Sequence, residues 1–358
     1  MKVTINKFLY KDSLNKQRAL FAECFPETVG KEIIKESHYF WKFHSFPSFI
    51  HSYEFGAFAE NDLIGYYAAI PYQYLINNQK ITVGMVCDVM TGPKARGKGV
   101  FTRIGEYSTN EMQKNGLTFT TGYPIREEVI PGHLKVGWEI MHPLPLYIKF
   151  LSFKSLFKRK KIGFLSYPMD VLLRLYNFLL ALMIREKEYD LEIYNSIEID
   201  KISGIDKFLS KWITEQPIAL NKSTQFLKWR LGAPNKKYKI IVAKKEEEIV
   251  GYSVFTETIK ENIPTIAILD ISFLNGHSGS SALICRSISE IAKIRKVHSI
   301  IIMASSHTYK KNRMIKNGFI KSPYKFSFIL KNLNKEYSNN FLKNEENWNL
   351  MWIDSDNL

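Results

Sequence analysis

The feature that most constrains the fold of this chain is an internal repeat with a spacing of roughly 180 residues. Four short landmarks recur in the same order in the two halves of the sequence. The paired landmarks are residues 40–43 and 226–229, 63–66 and 249–252, 87–90 and 269–272, and 136–138 and 317–319. Self-similarity at a fixed spacing indicates a repeated structural unit. The chain of 358 residues is also longer than one ordinary domain, so the sequence predicts two domains of the same kind.

Both halves show the same order of predicted elements. Alternating β-branched and aromatic residues predict the strands, and helical periodicity predicts the helices between them. The predicted strands are residues 55–60, 63–77, 80–90, 117–121 and 138–149, then 239–244, 249–256, 265–274, 299–303 and 324–330; the predicted helices are 14–24, 99–115, 204–215 and 279–295. We therefore expect an α+β fold of two tandem domains, each a mixed, mostly antiparallel sheet flanked by helices. The predicted domains are 1–153 and 191–358, joined by a linker at 154–190.

The predicted linker combines a basic run with an apolar stretch. Four basic residues at 158–161 precede the apolar residues 167–184. Asp170, Arg174 and Asn177 interrupt that stretch, which argues against a membrane-spanning helix. We expect a connecting helix packed between the two domains. The alternative is a basic amphipathic helix that rests on an anionic membrane surface as a peripheral contact.

Composition excludes several classes of protein. Cys24, Cys87 and Cys285 lie far apart and show no metal-ligand spacing, so we expect reduced thiols and no metal site. The N-terminus lacks the apolar core of a secretory signal, which predicts a cytoplasmic chain, with the inner face of the membrane as the alternative location. The formal charge of +15 suits any polyanionic partner. The basic residues are dispersed and form no recognition module, so we expect no nucleic-acid binding.

The most informative segment is residues 87–102, in which a predicted strand runs through a glycine-rich turn into an amphipathic helix. Glycines allow the backbone to approach an anion closely, and the free amides at a helix start point toward it. Lys94, Arg96 and Lys98 add positive charge beside these amides. The segment therefore predicts a binding site for a pyrophosphate.

This segment resembles the acyl-CoA signature of the GNAT superfamily of N-acyltransferases, Arg/Gln-x-x-Gly-x-Gly/Ala after a strand with a proline near its end. Pro93, Arg96 and Gly99 match the signature, whereas Phe101 replaces its final small residue. The resemblance extends over about the first 150 residues, and residues 137–138 look like the Gly-Phe that follows the last helix of the family. It implies an N-acyltransferase that uses acetyl-CoA as the acyl donor.

The resemblance also implies which residues hold the cofactor. The pyrophosphate would be bound by the backbone amides of residues 96–102, and the pantetheine would pair along the strand at residues 89–91. The implied cofactor-binding residues are Val89, Met90, Thr91, Arg96, Gly97, Lys98, Gly99, Val100, Phe101 and Thr102.

Three residues are candidates for proton transfer. Asp88 precedes the implied cofactor-binding end of its strand and is the candidate general base, because the attacking amine must be neutral. Its alternative role is a structural carboxylate at a strand bulge, which Asp270 at the equivalent place in the second half favours. His133 occupies the position at which the family often has the tyrosine that protonates the thiolate; its alternative role is structural. Tyr123 is then the substitute donor.

The second half retains the outline of the first but not its chemistry. Residues 273–280 contain no Arg or Lys, and Met314 stands where the first half has His133. We interpret this half as a degenerate copy that braces the first half. Gly276 and Gly279 leave a weaker second anion site as the alternative.

The expected activity is acetyl transfer to an amino group, with a role in the synthesis of a surface polysaccharide. The chain has a Trp-Lys-Phe element before Pro47 and a Lys-Trp-Arg element before Pro234. In size and in these elements it resembles tandem GNAT proteins associated with the synthesis of bacterial surface polysaccharides. The expected acceptor is therefore an amino sugar carried on a nucleotide or lipid phosphate, or another small activated amine. The alternatives are a non-catalytic CoA-sensing or membrane-docking module and a relative of the Fem-type aminoacyl transferases.

Overall fold

The computed structural model describes residues 2–182 and 188–356. The strands are β1 (Thr4–Lys7), β2 (Tyr53–Ala59), β3 (Asp62–Ile76), β4 (Gln79–Thr91), β5 (Phe119–Gly122), β6 (Glu139–Phe150), β7 (Asp190–Asn195), β8 (Ile218–Leu220), β9 (Lys239–Lys245), β10 (Glu248–Lys260), β11 (Ile263–Phe273), β12 (Ser299–Met303) and β13 (Ile320–Asn332). The α-helices are α1 (Tyr10–Cys24), α2 (Glu36–His44), α3 (Val100–Lys114), α4 (Ile130–Lys135), α5 (Lys154–Arg159), α6 (Ser166–Leu182), α7 (Ile205–Thr214), α8 (Thr224–Leu231), α9 (Ser278–Ile294), α10 (Ser306–Lys311) and α11 (Asn339–Lys343). The predicted strands and helices are all present, with ends shifted by a few residues.

The chain forms two compact units, and neither unit is continuous in sequence. Unit 1 contains the residues up to 142 together with 232–236 and 326–344. Unit 2 contains residues 143–231, 237–325 and the residues from 345 onward. Both are α+β units with mostly antiparallel sheets, which confirms the predicted fold class.

The sheet of unit 1 has the strand order β1-β2-β3-β4-β5-β13. The first four strands pair antiparallel, β4 and β5 pair parallel, and β5 pairs antiparallel with β13. In that last pair Gly122 faces Ile329 and Phe119 faces Asn332. The final strand of this sheet therefore comes from the far end of the chain.

The sheet of unit 2 has the order β7-β9-β10-β11-β12-β6. Its first four strands pair antiparallel, β11 and β12 pair parallel, and β12 pairs antiparallel with β6. In that last pair Ser299 faces Phe150 and Met303 faces Leu146. This order and polarity match those of unit 1 strand for strand, and the final strand again comes from the other half of the sequence.

Each unit has an apolar core between a long helix and its sheet. In unit 1, α3 contributes the fully buried Ile104 and Met112 to this core. In unit 2, α9 contributes Ile284 and Ile288, which are also fully buried. These spacings place the apolar residues on one face of each helix, and burying such a side chain contributes about 2 kcal/mol.

The apolar stretch at 167–184, which we expect to form a connecting helix packed between the domains, contacts unit 2 along one face and exposes its other faces in the part that the structure describes. Helix α6 covers this stretch up to Leu182, and residues 183–184 lie outside the described residues. The side chains of Leu172 and Phe178 are 60% and 59% exposed. The prediction assumed that an apolar face turns toward protein, whereas polar side chains anchor this helix. Among the described helices, none has both the length and the hydropathy needed to cross a bilayer.

Candidate functional site

The candidate site begins at a bulge in β4. The pairing of β3 with β4 shifts register between Tyr66 and Ala68, so β4 carries one extra residue there. Asp88 lies in this bulge with a φ of 48°. A non-glycine residue in the left-handed region is uncommon, and bulges of this kind redirect a side chain. The backbone therefore holds Asp88 in an unusual orientation at the predicted site.

Beyond the bulge, β4 runs past the end of its parallel neighbour. The pairing of β4 with β5 extends from Val83 opposite Phe119 to Val86 opposite Gly122. β4 then continues to Thr91, and it pairs with β3 as far as that residue. The part of β4 that contains Val89, Met90 and Thr91 thus has β3 on one side and lies beyond the β5 ladder on the other. An extended ligand can pair with a strand edge of this kind.

The glycine-rich turn follows β4 directly and leads into α3. A short 3₁₀ turn, Pro93–Ala95, precedes Arg96, whose Nε donates a hydrogen bond to the carbonyl of Thr91 at 3.2 Å. Gly97 and Gly99 have φ values of 74° and 73°. Glycine adopts this conformation without the steric cost that a Cβ adds.

The space over this turn is open. At Gly97 and Gly99, no heavy atom of the described chain beyond the adjacent residues lies within 4 Å of the position that a Cβ would take. Gly99 is the N-cap of the fifteen-residue helix α3, so the first backbone N–H groups of the helix have no intrahelical acceptor. Lys94 and Lys98 are exposed beside the turn. The turn therefore combines free amides, the positive end of a helix dipole and two ammonium groups, which suits a phosphate-bearing ligand.

Asp88 has a cationic partner that the sequence analysis did not identify. The Lys42 ammonium, on α2, donates a hydrogen bond to Asp88 Oδ1 at 2.7 Å. The side chains are only 4% and 12% exposed. A weakly exposed ion pair of this kind is costly to break by removing one partner. One oxygen of the proposed base is thus engaged by a lysine.

A second buried carboxyl group, Glu54 on β2, lies in the same polar cluster. Its Oε2 accepts hydrogen bonds from the hydroxyls of Tyr39 at 2.6 Å and Tyr66 at 2.5 Å. Burial raises the pKa of Glu54 to about 7, and the negative charge of Asp88 adds to this rise. Groups whose pKa lies near neutral are candidates for proton transfer. The apolar-rich sequence around Glu54 gave no indication of this role.

A cavity lies next to Glu54. Its volume is about 460 Å³, and its lining includes Lys7, His44, His51 and Glu54. His44 Nε2 is 3.5 Å from Glu54 Oε1, and burial lowers the pKa of His44. Glu54 is therefore a buried carboxyl group in the wall of this cavity, with His44 beside it.

Unit 2 has a counterpart of the Asp88 cluster, but it is closed to solvent. Asp270 Oδ1 accepts a hydrogen bond from the Lys222 ammonium at 2.8 Å, and its other oxygen accepts one from the Tyr252 hydroxyl. Lys222 and Asp270 are 1% and 0% exposed. Burial also raises the pKa of the nearby Asp354 to about 7. A cluster without solvent access is suited to a structural role.

His133 packs among aromatic rings. Its ring centroid lies 5.1 Å from that of Phe101 and 4.9 Å from that of Trp138. Burial lowers the pKa of His133 to about 4, so the ring is neutral near pH 7. A neutral imidazole is a weak proton donor to a thiolate, and this environment favours the packing role.

Tyr123 follows directly after Gly122, the last residue of β5. Because Gly122 faces Val86, Tyr123 lies beside the part of β4 that leads to Asp88. The Tyr123 ring is buried and lies 5.4 Å from the ring of Phe328 on β13. The structure thus brings Tyr123 to the end of β5 near the bulge, whereas it packs His133 against Phe101 and Trp138.

The chain is similar to known proteins in both sequence and structure. Residues 7–141 match the model of the acetyltransferase (GNAT) domain. No curated protein sequence matches the chain. A GCN5-related N-acetyltransferase from Anabaena variabilis is similar in structure, with a TM-score of 0.63, 12% identity, and coverage of 93% of this chain and 73% of that one.

Two further solved structures have the same fold. A conserved protein of unknown function from Enterococcus faecalis has a TM-score of 0.63 and 14% identity, covering 92% of this chain and 72% of that one. A GCN5-related N-acetyltransferase from Kribbella flavida has a TM-score of 0.58 and 12% identity, covering 92% and 70%. Residues 7–141 therefore match an acetyltransferase domain of the GNAT type, and more than nine-tenths of the chain shares its fold with two GCN5-related N-acetyltransferases.

Proposed function

We propose that this protein is an acetyl-CoA-dependent N-acetyltransferase whose cofactor site is the end of β4 and the turn into α3. The observation that carries the proposal is the combination of open glycines at the start of α3 with a β4 edge that runs beyond β5. The first supplies amides for a pyrophosphate, and the second supplies backbone groups for an extended pantetheine arm.

The residues present fit acetyl-CoA as the acyl donor. The cradle at Gly97 and Gly99 is empty of side chains, and Arg96 is fixed beside it by its bond to Thr91. Bound there, acetyl-CoA supplies an acetyl group activated as a thioester. The amides of residues 96–102 would hold the pyrophosphate, and Val89, Met90 and Thr91 would align the thioester for attack.

Proton transfer is assigned to the residues beside the bulge. The amine must lose a proton to attack, and we propose that Asp88 receives it through its oxygen not bound by Lys42, with Glu54 as the next acceptor inward. Tyr123 is the proposed donor to the departing thiolate, because it lies at the end of β5 beside this region. His133 is assigned a packing role at the base of the turn.

The second half is proposed to be a degenerate copy of the first, with sequence domains at 1–153 and 191–358. The matching strand order of the two units supports this proposal. The turn before α9 keeps Gly276 with a φ of 85° but has no lysine or arginine at residues 273–280. Unit 2 is therefore proposed to have lost cofactor binding.

We further propose an amino sugar on a nucleotide or lipid phosphate as the acceptor, in the synthesis of a surface polysaccharide. The net charge of +15 supports an anionic acceptor, because a positive field attracts it over long range. An exposed Lys7 at the cavity beside Glu54 offers a cationic group for such a phosphate, and the two histidines there offer ring N–H donors.

The cofactor site is tested by calorimetry with CoA. The double variant Arg96→Glu/Gly99→Asp places two carboxylates against the proposed pyrophosphate site and should abolish binding. The matched control is His277→Glu/Gly276→Asp in unit 2, which adds the same two carboxylates and a similar backbone strain at a positive φ. Equal CoA affinity in both variants would refute the site.

The acceptor is tested separately with a panel of amines and acetyl-CoA. Turnover on nucleotide-linked amino sugars supports the proposal. Tight CoA binding with no turnover on any amine would favour a CoA-sensing module instead. Transfer from aminoacyl-tRNA, with no use of acetyl-CoA, would favour the Fem-type alternative.

A further inference from the structure

Helix α6 is attached to unit 2 through its polar side chains. Asp170 accepts hydrogen bonds from the backbone N–H of Phe153 at 2.6 Å and from the Ser152 hydroxyl at 2.8 Å. Two helical turns later, the Asn177 amide donates to the carbonyl of Phe150 at 3.3 Å. The face of α6 that touches protein therefore contains Asp170 and Asn177, two of the three polar residues that interrupt its apolar sequence.

The opposite faces of α6 are apolar and exposed. Six large side chains on these faces are 49–79% exposed: Tyr167, Val171, Leu172, Leu175, Phe178 and Leu179. Phe164, just before the helix, is 78% exposed. A surface helix of a globular protein normally turns its apolar face inward. This reversed orientation leaves a contiguous apolar surface, and such surfaces mark interaction sites.

A basic rim borders this apolar surface. Helix α5 contacts α6, and Lys154, Lys158, Lys160 and Lys161 on and after α5 are exposed. Residues 154–182 contain six basic residues and one acidic residue. That acidic residue is Asp170, whose carboxylate is bound to backbone and hydroxyl groups of the protein. The exposed charge around the apolar surface is therefore positive.

We propose that α5 and α6 form a peripheral membrane anchor, in which α6 lies in the plane of an anionic bilayer. The apolar face would enter the boundary between headgroups and acyl chains, and the lysines would contact acidic lipid headgroups. A second copy of the chain fits less well, because a two-fold contact through this face would bring two basic rims together. The seventeen-residue helix is held to protein by Asp170 and Asn177, which keeps it at the surface.

This proposal does not depend on the reaction that the protein catalyses. Its test is co-sedimentation of the full chain with vesicles of phosphatidylcholine alone and of equal parts phosphatidylcholine and phosphatidylglycerol. We expect binding to the anionic vesicles, weakened by added salt because the headgroup contacts are screened.

The apolar face is tested by Leu172→Gln/Leu175→Gln/Phe178→Gln. This variant should lose binding by on the order of a hundredfold or more, because three apolar side chains no longer enter the bilayer. The matched control is Ile197→Gln/Ile259→Gln/Ile294→Gln, which changes three side chains of unit 2 that are 88%, 71% and 80% exposed. All six positions are largely exposed, so a thermal melt should stay close to that of the parent.

The basic rim is tested by Lys158→Glu/Lys160→Glu/Lys161→Glu. Each basic residue near an anionic surface contributes about 1 kcal/mol, or about fivefold, so loss of three should lower binding on the order of a hundredfold. The matched control replaces the exposed Lys310, Lys316 and Lys321 by glutamate. It changes the net charge equally and should lower vesicle binding much less.

Three results would overturn the proposal. The first is failure of the parent protein to bind anionic vesicles. The second is equal binding by the α6 variant and its isoleucine control. The third is sedimentation equilibrium showing a dimer without vesicles that the α6 variant abolishes, which would assign the face to a second copy.

Discussion

The ion pair between Lys42 and Asp88 allows the structural and catalytic roles of Asp88 to be separated. The perturbation is a cycle of three variants: Asp88→Asn, Lys42→Met and the double variant. Asparagine is a suitable replacement because it tolerates the positive φ of 48° at this position better than most residues. The cycle therefore removes the charges while it preserves the backbone of the bulge.

The magnitude follows from burial. Removing one partner of a buried ion pair costs about 3–5 kcal/mol. Because the Asp88 side chain retains 12% exposure, we expect the lower end, about 3 kcal/mol. For a unit of this size, that corresponds to a fall in Tm of about 6–12 °C. The double variant replaces both charges, so its stability should return to within about 1 kcal/mol of the parent.

The assay combines thermal melts with steady-state acetylation measured by thiol release. If Asp88 is the general base, the double variant is stable but its turnover stays about a hundredfold to ten-thousandfold low. The deficit should be largest at low pH and partly relieved at high pH, where more of the amine is already neutral. In the control cycle, Asp270→Asn and Lys222→Met should each lower stability at least as much, because that pair is fully buried. The folded control variants should keep the turnover of the parent.

Two results would refute this reasoning. A change in stability below about 1 kcal/mol for Asp88→Asn would show that the pair does not behave as a buried pair. Recovery of both stability and turnover in the double variant would show that Asp88 is structural, and the base would then be assigned to Glu54.

Three further predictions follow from burial and topology. His133→Phe should leave turnover within about threefold of the parent, because the neutral ring serves packing; a loss of about a hundredfold with unchanged CoA affinity would restore it as the proton donor. Burial raises the pKa of Glu54 from 4.5 to about 7, so the stability associated with its protonated form is lost as pH rises through this interval. In urea melts, Glu54→Gln should therefore gain up to about 3 kcal/mol of stability relative to the parent between pH 5 and pH 8. Parallel plots of stability against pH for the two proteins would contradict the raised pKa of this carboxyl group. A fragment of residues 1–150 should aggregate because β5 lacks β13, and a peptide of residues 320–344 should restore its solubility; a soluble, active fragment without the peptide would contradict the sheet pairing.

The sequence predicts the elements of this fold well because their patterns are local. Alternation and periodicity locate the long strands β3 and β4 and the helix α3 to within a few residues. The same local patterns cannot specify which strand pairs with β5. Both β6 and β13 are strands of similar length, and their exchange between the units depends on contacts between residues far apart in the chain.

In the candidate site, too, only the features with a local sequence signal could be predicted. The turn could be predicted because Gly97 and Gly99 have a direct conformational meaning, and both adopt positive φ. The ion pair of Asp88 could not be predicted, because the landmark equivalent of Lys42 is Lys228, which pairs with Asp200 at the surface. In unit 2 the equivalent role belongs to Lys222. A pairing set by tertiary packing leaves no signal in residue spacing.

The exchange of β6 and β13 has a consequence during synthesis on the ribosome. The β5 strand emerges roughly 200 residues before Ile329, its partner on β13. At about 5–20 residues per second, the edge of β5 stays unpaired for about 10–40 s. An exposed strand edge invites pairing with other chains. The nascent protein therefore passes through a long interval in which β1 to β5 have been made but the edge of β5 has no partner strand, and chaperone binding during that interval should raise the yield of folded protein.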